Sequence, residues 1–420
     1  MSKLERLIQQ YCPDGVEWKA LYSITKQFSG MTGVSNKWAE EGNCVFIDYN
    51  NVYNHTSVDT TALKKATVKS LKQNTLKKGD ILFTSASETP DECALSSVIE
   101  KDLPDGVFFD DHLFGLRLLD EYSSVISPSY LKYAFRSEQF RFQIKKVVRG
   151  ATRHYVSKVD FMKLEIPVPP LPVQEEIVRI LDAFTELQAE LQAELQKRKQ
   201  QYNYYLDNLL NFKNINRGGY QAEVRWMKMS EVFEIRNGYT PSKAKKEFWE
   251  GGTIPWFRME DIRQNGRILS DSILHITPKG VKGKGLFKAN SFILATTATI
   301  GEHALIIADS LANQQFTNLS IRKSLENELS VKYVYYYFFV IDEWCKANTN
   351  VSNFASVDMS KFHNLLIPIP SIAEQQKIVS ILDRFDTLTN DLTSGLPAEM
   401  EKRRQQYEYY RDRLLTFKRL

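Results

Sequence analysis

Two stretches of the chain share one pattern of apolar and polar positions. QEEIVRILDAF begins at Gln174 and QQKIVSILDRF begins at Gln375, 201 residues later (375 − 174), and seven of the eleven positions are identical. In both, isoleucine, leucine and phenylalanine recur at spacings of three and four, which predicts an amphipathic helix with one apolar stripe. The similarity predicts that the chain contains one unit twice.

The repeat extends beyond this helix. FMKLEIPVPPLPVQEEIV, from Phe161, matches FHNLLIPIPSIAEQQKIV, from Phe362, and QQYNYYLDNLLNFK, from Gln200, matches QQYEYYRDRLLTFK, from Gln405. Weaker matches precede them in the same order in both halves. The predicted order is therefore a variable domain, a shared helix, a second variable domain and the shared helix again.

Prolines limit where each shared helix can begin. Because proline lacks an amide hydrogen and favours extended backbone in the residue before it, LEIPVPPLP should be a stiff strap that leads into the helix. In the second copy Ser371 and Glu374 have the spacing of a capping box. An unbroken helix from Gln174 to Phe212 would be about 58 Å long, whereas Gly395 and Pro397 favour a kink in the second copy.

We expect a rod of this length to bury its apolar stripe only against another rod. The two shared helices should therefore pair antiparallel, as in a coiled coil, with the N-terminal LERLIQQY, from Leu4, completing the pairing. The predicted interface positions are Ile177, Leu181, Phe184, Leu191, Ile378, Leu382, Phe385 and Leu392.

The variable halves have the pattern of mixed α/β domains. Long stretches of helical periodicity begin at Ser129 and Glu328, and short apolar runs predict strands that begin at Cys44, Asp80, Gly115, Ile254, Ser291 and Ala304. The predicted fold class is α/β in the mixed α+β sense, with two globular domains separated by two long helices in an antiparallel coiled coil. The expected boundaries are 1–166 for the first domain, 167–216 for the central helix, 217–367 for the second domain and 368–420 for the C-terminal helix.

Composition narrows the class of protein. The 420 residues are 43% hydrophobic, enough for ordinary cores. The four cysteines form no CxxC pair, which predicts neither a zinc cluster nor a disulfide framework and fits a reducing cytoplasm. The charged start and the short apolar runs predict no targeting segment and no transmembrane helix. A net charge of +4 does not by itself indicate nucleic acid, so the local charge distribution has to decide.

Motifs of catalysis are absent from the sequence. There is no GxxxxGK[ST] loop, no HExxH, no GxSxG and no NPPY or DPPY motif of amino-methyltransferases. The six histidines are isolated from one another. Asp110 and Asp111 could hold a metal ion, but a turn after VFF is the simpler interpretation. We therefore predict no catalytic residue and no metal site.

Basic residues concentrate in one segment of each half. From Tyr130 to Lys158, eight lysines and arginines accompany a single acid, Glu138, and three of the basic residues fall four apart, as on one helix face. In the other half PKGVKGKGLFK is a glycine-containing loop without an acid, suited to following phosphates. A solvated surface is the alternative for both. The candidate binding residues are Arg141, Lys145, Lys146, Arg149, Arg153, Lys279, Lys282, Lys284 and Lys288.

Each half also has a hydroxyl-rich segment after a predicted strand, TSASETP from Thr84 and TTAT from Thr296. Hydroxyl groups bond to phosphates or base edges, but they also cap helices and fill turns. Thr152, Thr296 and Thr297 are the candidates. The GATRH turn that contains Thr152 and Arg153 corresponds to NVSNFAS in the second half, which has no arginine. The two halves should therefore recognise different ligands or sequences.

The straps and the tandem order resemble a known family. Two dissimilar domains, each followed by an IPxPxxxxQ-type strap and helix, are similar to the DNA specificity subunit of type I restriction-modification systems. The resemblance covers essentially the whole chain. Its sharpest motifs are EIPVPPLPVQEEIV, from Glu165, and LIPIPSIAEQQKIV, from Leu366, with Gln174 and Gln375 at the family position.

The resemblance implies a chain that reads DNA and performs no chemistry. Each variable domain would recognise one half of a split, asymmetric target in double-stranded DNA, and the coiled coil would set the distance between the halves. Two modification subunits would carry S-adenosylmethionine and methylate adenine, and restriction subunits would cleave DNA with ATP and magnesium. No cofactor is expected on this chain, in agreement with the missing catalytic motifs.

Three alternatives stay open. A self-contained restriction or modifying enzyme with two recognition domains would need a catalytic motif. A scaffold that pairs proteins without DNA is favoured by the small net charge, and salt-dependent DNA binding with and without partners would separate it from a DNA reader. The third alternative is the specificity partner of a fused methylase-nuclease.

Overall fold

A computed structural model describes residues 2–38, 40–212, 224–283, 285–350, 355–391 and 393–420. The chain forms two units, one of Met1–Gln192 with Glu399–Leu420 and the other of Ala193–Ala398. The domain boundaries expected from the sequence stay a prediction. None of the helices in these ranges is both long enough and apolar enough to cross a membrane.

The first unit mixes short strands with short helices. Its strands are β1 (Glu17–Ala20), β2 (Thr25–Ser29), β3 (Val34–Lys37), β4 (Cys44–Ile47), β5 (Lys64–Val68), β6 (Ile81–Thr84), β7 (Ala86–Ser87), β8 (Ser96–Val98), β9 (Phe108–Phe109), β10 (Leu113–Leu118), β11 (Val148–Arg149), β12 (His154–Val156) and β13 (Glu165–Val168). Its helices are α1 (Lys3–Tyr11), α2 (Leu21–Ile24), α3 (Tyr49–Asn54), α4 (Pro128–Ala134), α5 (Glu138–Val147) and α6 (Lys158–Phe161), and it holds the first part of α7 (Leu171–Leu210).

Two four-stranded sheets organise this unit. One is antiparallel with the order β2-β10-β6-β8, and the other has the order β3-β5-β4-β9, in which β4 and β9 run parallel. A small sheet, β11-β12-β7, joins the hairpin after α5 to the segment that follows β6. The predicted strap is strand β13, which pairs antiparallel with β1.

The second unit repeats this plan. Its strands are β14 (Arg225–Lys228), β15 (Phe233–Asn237), β16 (Ile254–Phe257), β17 (Ile268–Leu269), β18 (His275–Ile276), β19 (Ser291–Ala295), β20 (His303–Ile306), β21 (Leu311–Ala312), β22 (Phe316–Ile321), β23 (Thr349–Asn350), β24 (Ser356–Val357) and β25 (Leu366–Ile369). Its helices are α8 (Met229–Val232), α9 (Met259–Asn265), α10 (Val331–Ala347), α11 (Met359–Asn364) and α12 (Ile372–Asn390), and α13 (Leu396–Leu414) begins in it.

The main sheet of the second unit has the order β15-β22-β19-β20-β17. A smaller sheet, β18-β16-β21, lies beside it, and the second strap, β25, pairs antiparallel with β14 as its counterpart does in the first unit. The mixed α/β fold expected from the sequence is confirmed in both units.

The predicted strands are confirmed, but one predicted helix is divided. The stretch from Ser129 forms α4 and α5, because the Ser137 side chain accepts a hydrogen bond from the amide of Phe140 and begins a new helix. The stretch from Glu328 gives the single helix α10, capped by Ser330.

Contacts inside each unit show that the shared helices pair antiparallel. In the first unit the Phe184 ring stacks on Tyr410 with centroids 5.4 Å apart, and Arg419 lies 2.8 Å from Glu165. Position 419 is therefore near the start of α7 and position 410 is farther along it. In the second unit Tyr205 of α7 stacks on Phe385 of α12 at 5.0 Å.

The second copy of the shared helix is broken. It forms α12 and α13, and Pro397 lies in the first turn of α13, where its missing amide hydrogen costs nothing. A Cβ on Gly395 would meet the carbonyl oxygen of Thr387 at 2.3 Å, so this close turn requires glycine. Ser371 accepts a hydrogen bond from the amide of Glu374 at the start of α12, as the capping pattern predicts.

The expectation that the apolar stripe would be buried only against another rod is wrong. Ile177 and Leu181 have no exposed surface and lie in a core with α4 and α5 of their own unit, and Ile378 and Leu382 lie in the core that contains α10. The domains cover this part of the stripe. Of the other predicted interface positions, Phe184, Leu191 and Phe385 are half-buried, and Leu392 lies outside the described residues.

A buried glutamine fastens the start of α7 to the first unit. The Gln174 side chain has no exposed surface. Its amide group donates to the carbonyl oxygens of Val125 at 2.9 Å and Pro169 at 2.7 Å, and its oxygen accepts from the amide of Ser127 at 2.9 Å. The residue thus satisfies main-chain groups of the strap and of the segment before α4.

The same arrangement recurs around Gln375 in the second unit. Its amide group donates to the carbonyl oxygens of Glu328 and Pro370, both at 2.8 Å, and its oxygen accepts from the amide of Ser330 at 2.8 Å. We call these two sets of bonds the glutamine hubs. These bonds explain why both copies of the shared helix have glutamine at this position.

A second polar contact repeats about two helical turns beyond each hub. Asp182 of α7 accepts a hydrogen bond from the hydroxyl of Tyr133 and lies 2.9 Å from Lys132. Asp383 of α12 accepts from the hydroxyl of Tyr336. Each shared helix is therefore fixed to its own domain at two points.

The N-terminal helix packs beside the start of α7, as expected. Leu4 is buried in the core of the first unit, and the Lys3 ammonium lies 2.7 Å from the Glu176 carboxylate. The amide of Val16 donates to the carbonyl oxygen of Lys418 at 2.9 Å. The N-terminal and C-terminal segments of the chain therefore meet in this unit.

The core of the second unit contains a buried ion pair network. His303 is fully buried, its Nδ1 lies 2.7 Å from Asp342, and Arg267 lies 3.0 Å from the same carboxylate. Burial lowers the pKa of His303 below its ordinary value, although Asp342 acts in the opposite direction. The neutral imidazole is therefore favoured in the fold.

We predict that Gln375→Ala lowers the free energy of unfolding by about 2 to 4 kcal/mol, because it leaves buried main-chain groups without partners. Urea denaturation followed by circular dichroism measures the change. Gln376→Ala, at the exposed neighbouring position, is the matched control and should stay within about 0.5 kcal/mol of the unsubstituted chain. Equal stability of the two variants would contradict the structural role of the hub.

We also predict that acid destabilises the fold through His303. Because the pKa of His303 is lower in the folded chain, the unfolded chain takes up the proton first as the pH falls. The stability that the fold gains from a neutral His303 is therefore complete above pH about 6.5 and is lost below it. The slope is at most about 1.4 kcal/mol per pH unit. Urea denaturation between pH 7.5 and 5.5 should give a shallower pH dependence for His303→Gln, and parallel curves would refute the assignment.

Candidate nucleic-acid interface

A cleft of about 660 Å³ opens on the first unit between α3, the segment after β6 and the β11-β12 hairpin. It brings together Ser87 of the TSASETP segment, Thr152 and Arg153 of the GATRH turn, and His112 of the turn before β10. Two of the sequence segments predicted to bind DNA, TSASETP and GATRH, therefore meet at one cleft. Hydroxyl groups, a guanidinium and an imidazole facing one cleft can contact base edges and phosphates.

Two tyrosines form one wall of this cleft. Tyr49 and Tyr53 stack with ring centroids 5.9 Å apart, and their hydroxyls donate to the Ala86 carbonyl at 2.9 Å and the Glu92 carboxylate at 2.6 Å. The Tyr53 hydrogen bond is the main cause that lowers the pKa of Glu92. Sequence analysis missed this wall, although the spacing of four in YNNVYN places both rings on one helix face.

The basic residues after α5 are arranged differently from the prediction. Arg149 is not on the helix face of Arg141 and Lys145, because α5 ends at Val147 and Arg149 lies in β11. Arg149 pairs with Asp160 at 2.6 Å and Lys145 pairs with Asp91 at 2.7 Å. Acids from neighbouring segments therefore offset part of the positive charge seen in the sequence.

Arg141 supports the fold directly. Its guanidinium donates to the main-chain oxygens of Asp91, Cys93 and Ala94 at distances of 2.7 to 2.9 Å. Burial lowers the pKa of this arginine. These bonds hold the segment that carries one edge of the cleft. Lys146, by contrast, is exposed and lies 4.3 Å from the centre of the Phe142 ring.

The lysine loop of the second unit also has acidic partners. Lys279 pairs with Glu247 at 3.0 Å and Lys288 with Asp309 at 2.7 Å, although the loop itself contains no acid. Lys282 lies 6.0 Å from the centre of the Tyr239 ring. Lys284 lies outside the described residues. The positive charge available for phosphates is smaller here than the sequence suggests.

The hydroxyl segment of the second unit is held by its own sheet. Thr296 is buried and its hydroxyl lies 2.9 Å from that of Thr317. Thr297 is half-buried and forms an isolated bridge with Ser356. The centre of the NVSNFAS turn, residues 351–354, lies outside the described residues. The DNA-binding assignments of all twelve candidates stay predictions.

The paired acids form a turn closed by a lysine. The Lys37 ammonium lies 2.9 Å from Asp110 and 2.8 Å from Asp111, and His112 Nδ1 lies 2.9 Å from Asp110. Although burial raises the pKa of Asp111, the hydrogen bond from Lys37 and the charge of its ammonium lower it to about 2. The ammonium supplies the positive charge that a metal ion would supply, in agreement with the simpler interpretation of a turn.

The amino-acid sequence matches one family of DNA-specificity domains. The family model described as the type I restriction modification DNA specificity domain matches the chain twice, at residues 13–200 and 221–402. The chain belongs to this family. The two matches cover both variable domains and most of both shared helices, so the predicted duplication and the family resemblance are confirmed.

Two relatives from Escherichia coli are named as specificity subunits of type I restriction enzymes. The chain is 54% identical over 204 residues to the specificity subunit of the type I restriction enzyme EcoprrI of Escherichia coli, which covers 47% of this chain and 51% of that protein. It is 42% identical over 279 residues to the EcoR124I/EcoR124II specificity subunit of Escherichia coli, covering 63% and 66%. The chain thus spans about half of the first relative and just under two thirds of the second.

A solved structure supports the fold. The HsdS subunit from Thermoanaerobacter tengcongensis matches with a TM-score of 0.52 at 18% identity, and the match covers 96% of both chains. The fold is therefore shared at low sequence identity.

We predict that Arg141→Ala destabilises the first unit by about 2 to 4 kcal/mol, because three carbonyl groups lose a charged donor. Thermal or urea unfolding tests this. Lys146→Ala on the same helix is the matched control and should leave stability unchanged within about 0.5 kcal/mol. An Arg141→Ala chain of normal stability that binds DNA poorly would instead support a direct phosphate contact.

Proposed function

We propose that the chain is the specificity subunit of a type I restriction-modification complex that recognises a bipartite, asymmetric target in double-stranded DNA. Each unit would read one half of the target. The chain would also dock two modification subunits and the restriction subunits. Family membership supports this proposal, and the observation that carries it is the presence of two units with one framework and different exposed side chains.

Recognition in the first half would use the cleft of the first unit. Arg153 and Thr152 at the hairpin tip suit contacts to phosphates or base edges, and the Tyr49 and Tyr53 wall gives the cleft a fixed shape. The corresponding hairpin of the second unit, β23-β24, lacks arginine at the matching turn. Different side chains on one framework support an asymmetric target.

The proposed subunit performs no catalysis. The sequence lacks the motifs of nucleotide hydrolysis and methyl transfer, and under this proposal S-adenosylmethionine, ATP and magnesium belong to the partner subunits. The shared helices that each unit fixes through a glutamine hub would provide the docking surface. The family membership of the chain supports that assignment.

The proposal is tested by mapping methylated adenines in the DNA of cells that express the chain with its modification partner. We expect one bipartite, asymmetric methylated sequence, whose recovery depends on this chain. Arg153→Ala should reduce or relax recognition of one half only, about 5-fold or more, since a lost phosphate or base contact typically costs 1 kcal/mol or more.

Arg6→Ala, at an exposed position of α1, is the matched control for this experiment and should leave both halves unchanged. A continuous methylated sequence, or none that depends on the chain, would count against the proposed function. Equal loss at both halves in Arg153→Ala would count against the assignment of the cleft.

A further inference from the structure

The turn before the long central strand has the same backbone framework in both units. In the first unit it is Asp110, Asp111 and His112 before β10, and in the second it is Asn313, Gln314 and Gln315 before β22. Their separation is 203 residues (313 − 110). No motif in the sequence marks this correspondence, because none of the three residues is identical.

Matched hydrogen bonds establish the correspondence. The amide of Asp110 donates to the Ile47 carbonyl at 2.9 Å, and that of Asn313 donates to the Phe257 carbonyl at 3.0 Å. The amide of His112 donates to the Asp110 carboxylate at 2.9 Å, and that of Gln315 donates to the Asn313 side-chain oxygen at 3.0 Å. Both turns are thus closed by the side chain of their first residue.

The hydroxyl segments cross both turns at the same place. The amide of Ser85 donates to the His112 carbonyl at 2.9 Å, and the amide of Thr296 donates to the Gln315 carbonyl at 3.0 Å. A glycine lies close to each turn. In the second unit, a Cβ on Gly238 would lie 2.2 Å from the main-chain oxygen of Asn313. We call these two elements the matched turns.

The matched turns lie within the candidate interface. His112 lines the cleft that also contains Arg153, so in the first unit the turn faces the proposed DNA-binding side chains. In the second unit the neighbouring Thr297 bridges to Ser356 in the β23-β24 hairpin, which corresponds to the hairpin that carries Arg153. The second and third residues of each turn therefore occupy equivalent positions in the two units.

The chemistry of the two turns is different. The first presents a carboxylate and an imidazole beside Lys37, whereas the second presents two neutral amides, with Gln314 exposed and Gln315 half-buried. An amide that both donates and accepts can form two hydrogen bonds with adenine, at N6 and N7 in the major groove. The other bases do not offer this pair of groups in that order.

The two amides are oriented before any ligand binds. The Thr240 hydroxyl donates to the side-chain oxygen of Gln314, and the Asn313 side chain donates to that of Gln315 at 3.1 Å. Each oxygen keeps a second lone pair. Within the described ranges, neither Nε2 has a hydrogen-bond partner, so each amide group is available to donate.

Building on the proposed function, we propose that the matched turns are base-reading elements and that Gln314 and Gln315 recognise adenine in one half of the DNA target. The reading amides are held by Thr240 and Asn313 and not by the DNA alone. Of the two matched turns, only that of the second unit is assigned this contact with adenine, because the turn of the first unit has no amide side chain.

The test uses the full chain with its modification partner and maps methylated sequences in cells and on synthetic duplexes. Gln314→Ala and Gln315→Ala should each relax one base pair of a single half-site, with discrimination reduced about 5- to 150-fold, the range of a good bidentate contact. Gln314→Glu should shift the preference at that base pair from adenine toward cytosine, whose N4 amino group donates to a carboxylate.

Controls separate this inference from the proposed function. Gln264→Ala, at an exposed position of α9, removes a glutamine of the same unit and should change neither half. Thermal unfolding of each variant shows whether the unit is folded, and Gln314→Glu keeps the size of the side chain where an alanine variant fails to fold. Relaxation in the half-site that responds to Arg153→Ala would overturn the assignment to the second unit.

If the unsubstituted chain directs bipartite methylation and the Gln314 and Gln315 variants keep both halves intact, the adenine-reading inference is wrong and the proposed function stands. If no bipartite methylation depends on the chain, the proposed function itself fails.

Discussion

The two glutamine hubs are the constraint on which the rest of each unit depends. A neutral amide without exposed surface closes three main-chain hydrogen bonds where a proline-rich strap turns into a long helix. In each unit the carbonyl of a strap proline and main-chain groups of the segment before the domain helix are buried and need a hydrogen-bond partner. The hub supplies it and fixes the direction in which the helix leaves the domain.

Beyond this junction the two units have the same main-chain framework but different exposed side chains. Strap pairing, the tyrosine to aspartate contacts and the matched turns recur in both units, while the exposed side chains at the turns and hairpin tips diverge. Constant main-chain bonding with variable side chains is the arrangement expected of a reader that must place different chemistry at one location. Under the proposed function, this division explains how one fold serves two halves of a target.

The sequence predicted the shared elements well because they repeat and because their periodicity is local. The strands, the antiparallel helices and the break near Gly395 were all accessible from spacing, proline and glycine. The sites were less accessible. Arg141 and Lys145 looked like a binding face, but the groups that hold them, such as Asp91, are about fifty residues away along the chain. The spacing in YNNVYN places the two tyrosines on one helix face, but the position of that face at the cleft depends on long-range packing. The matched turns depend on such packing too, and no short motif marks them.

Both matched turns are closed by main-chain atoms and by the side chain of their first residue. The side chains of Gln314 and Gln315 project from this closed loop and close none of its main-chain bonds. Replacing them therefore leaves the main-chain hydrogen bonds of the turn in place and removes only the side-chain bonds to Thr240 and Asn313. Under the proposed base-reading role, exchange of these two residues would change what the turn recognises while the fold is kept.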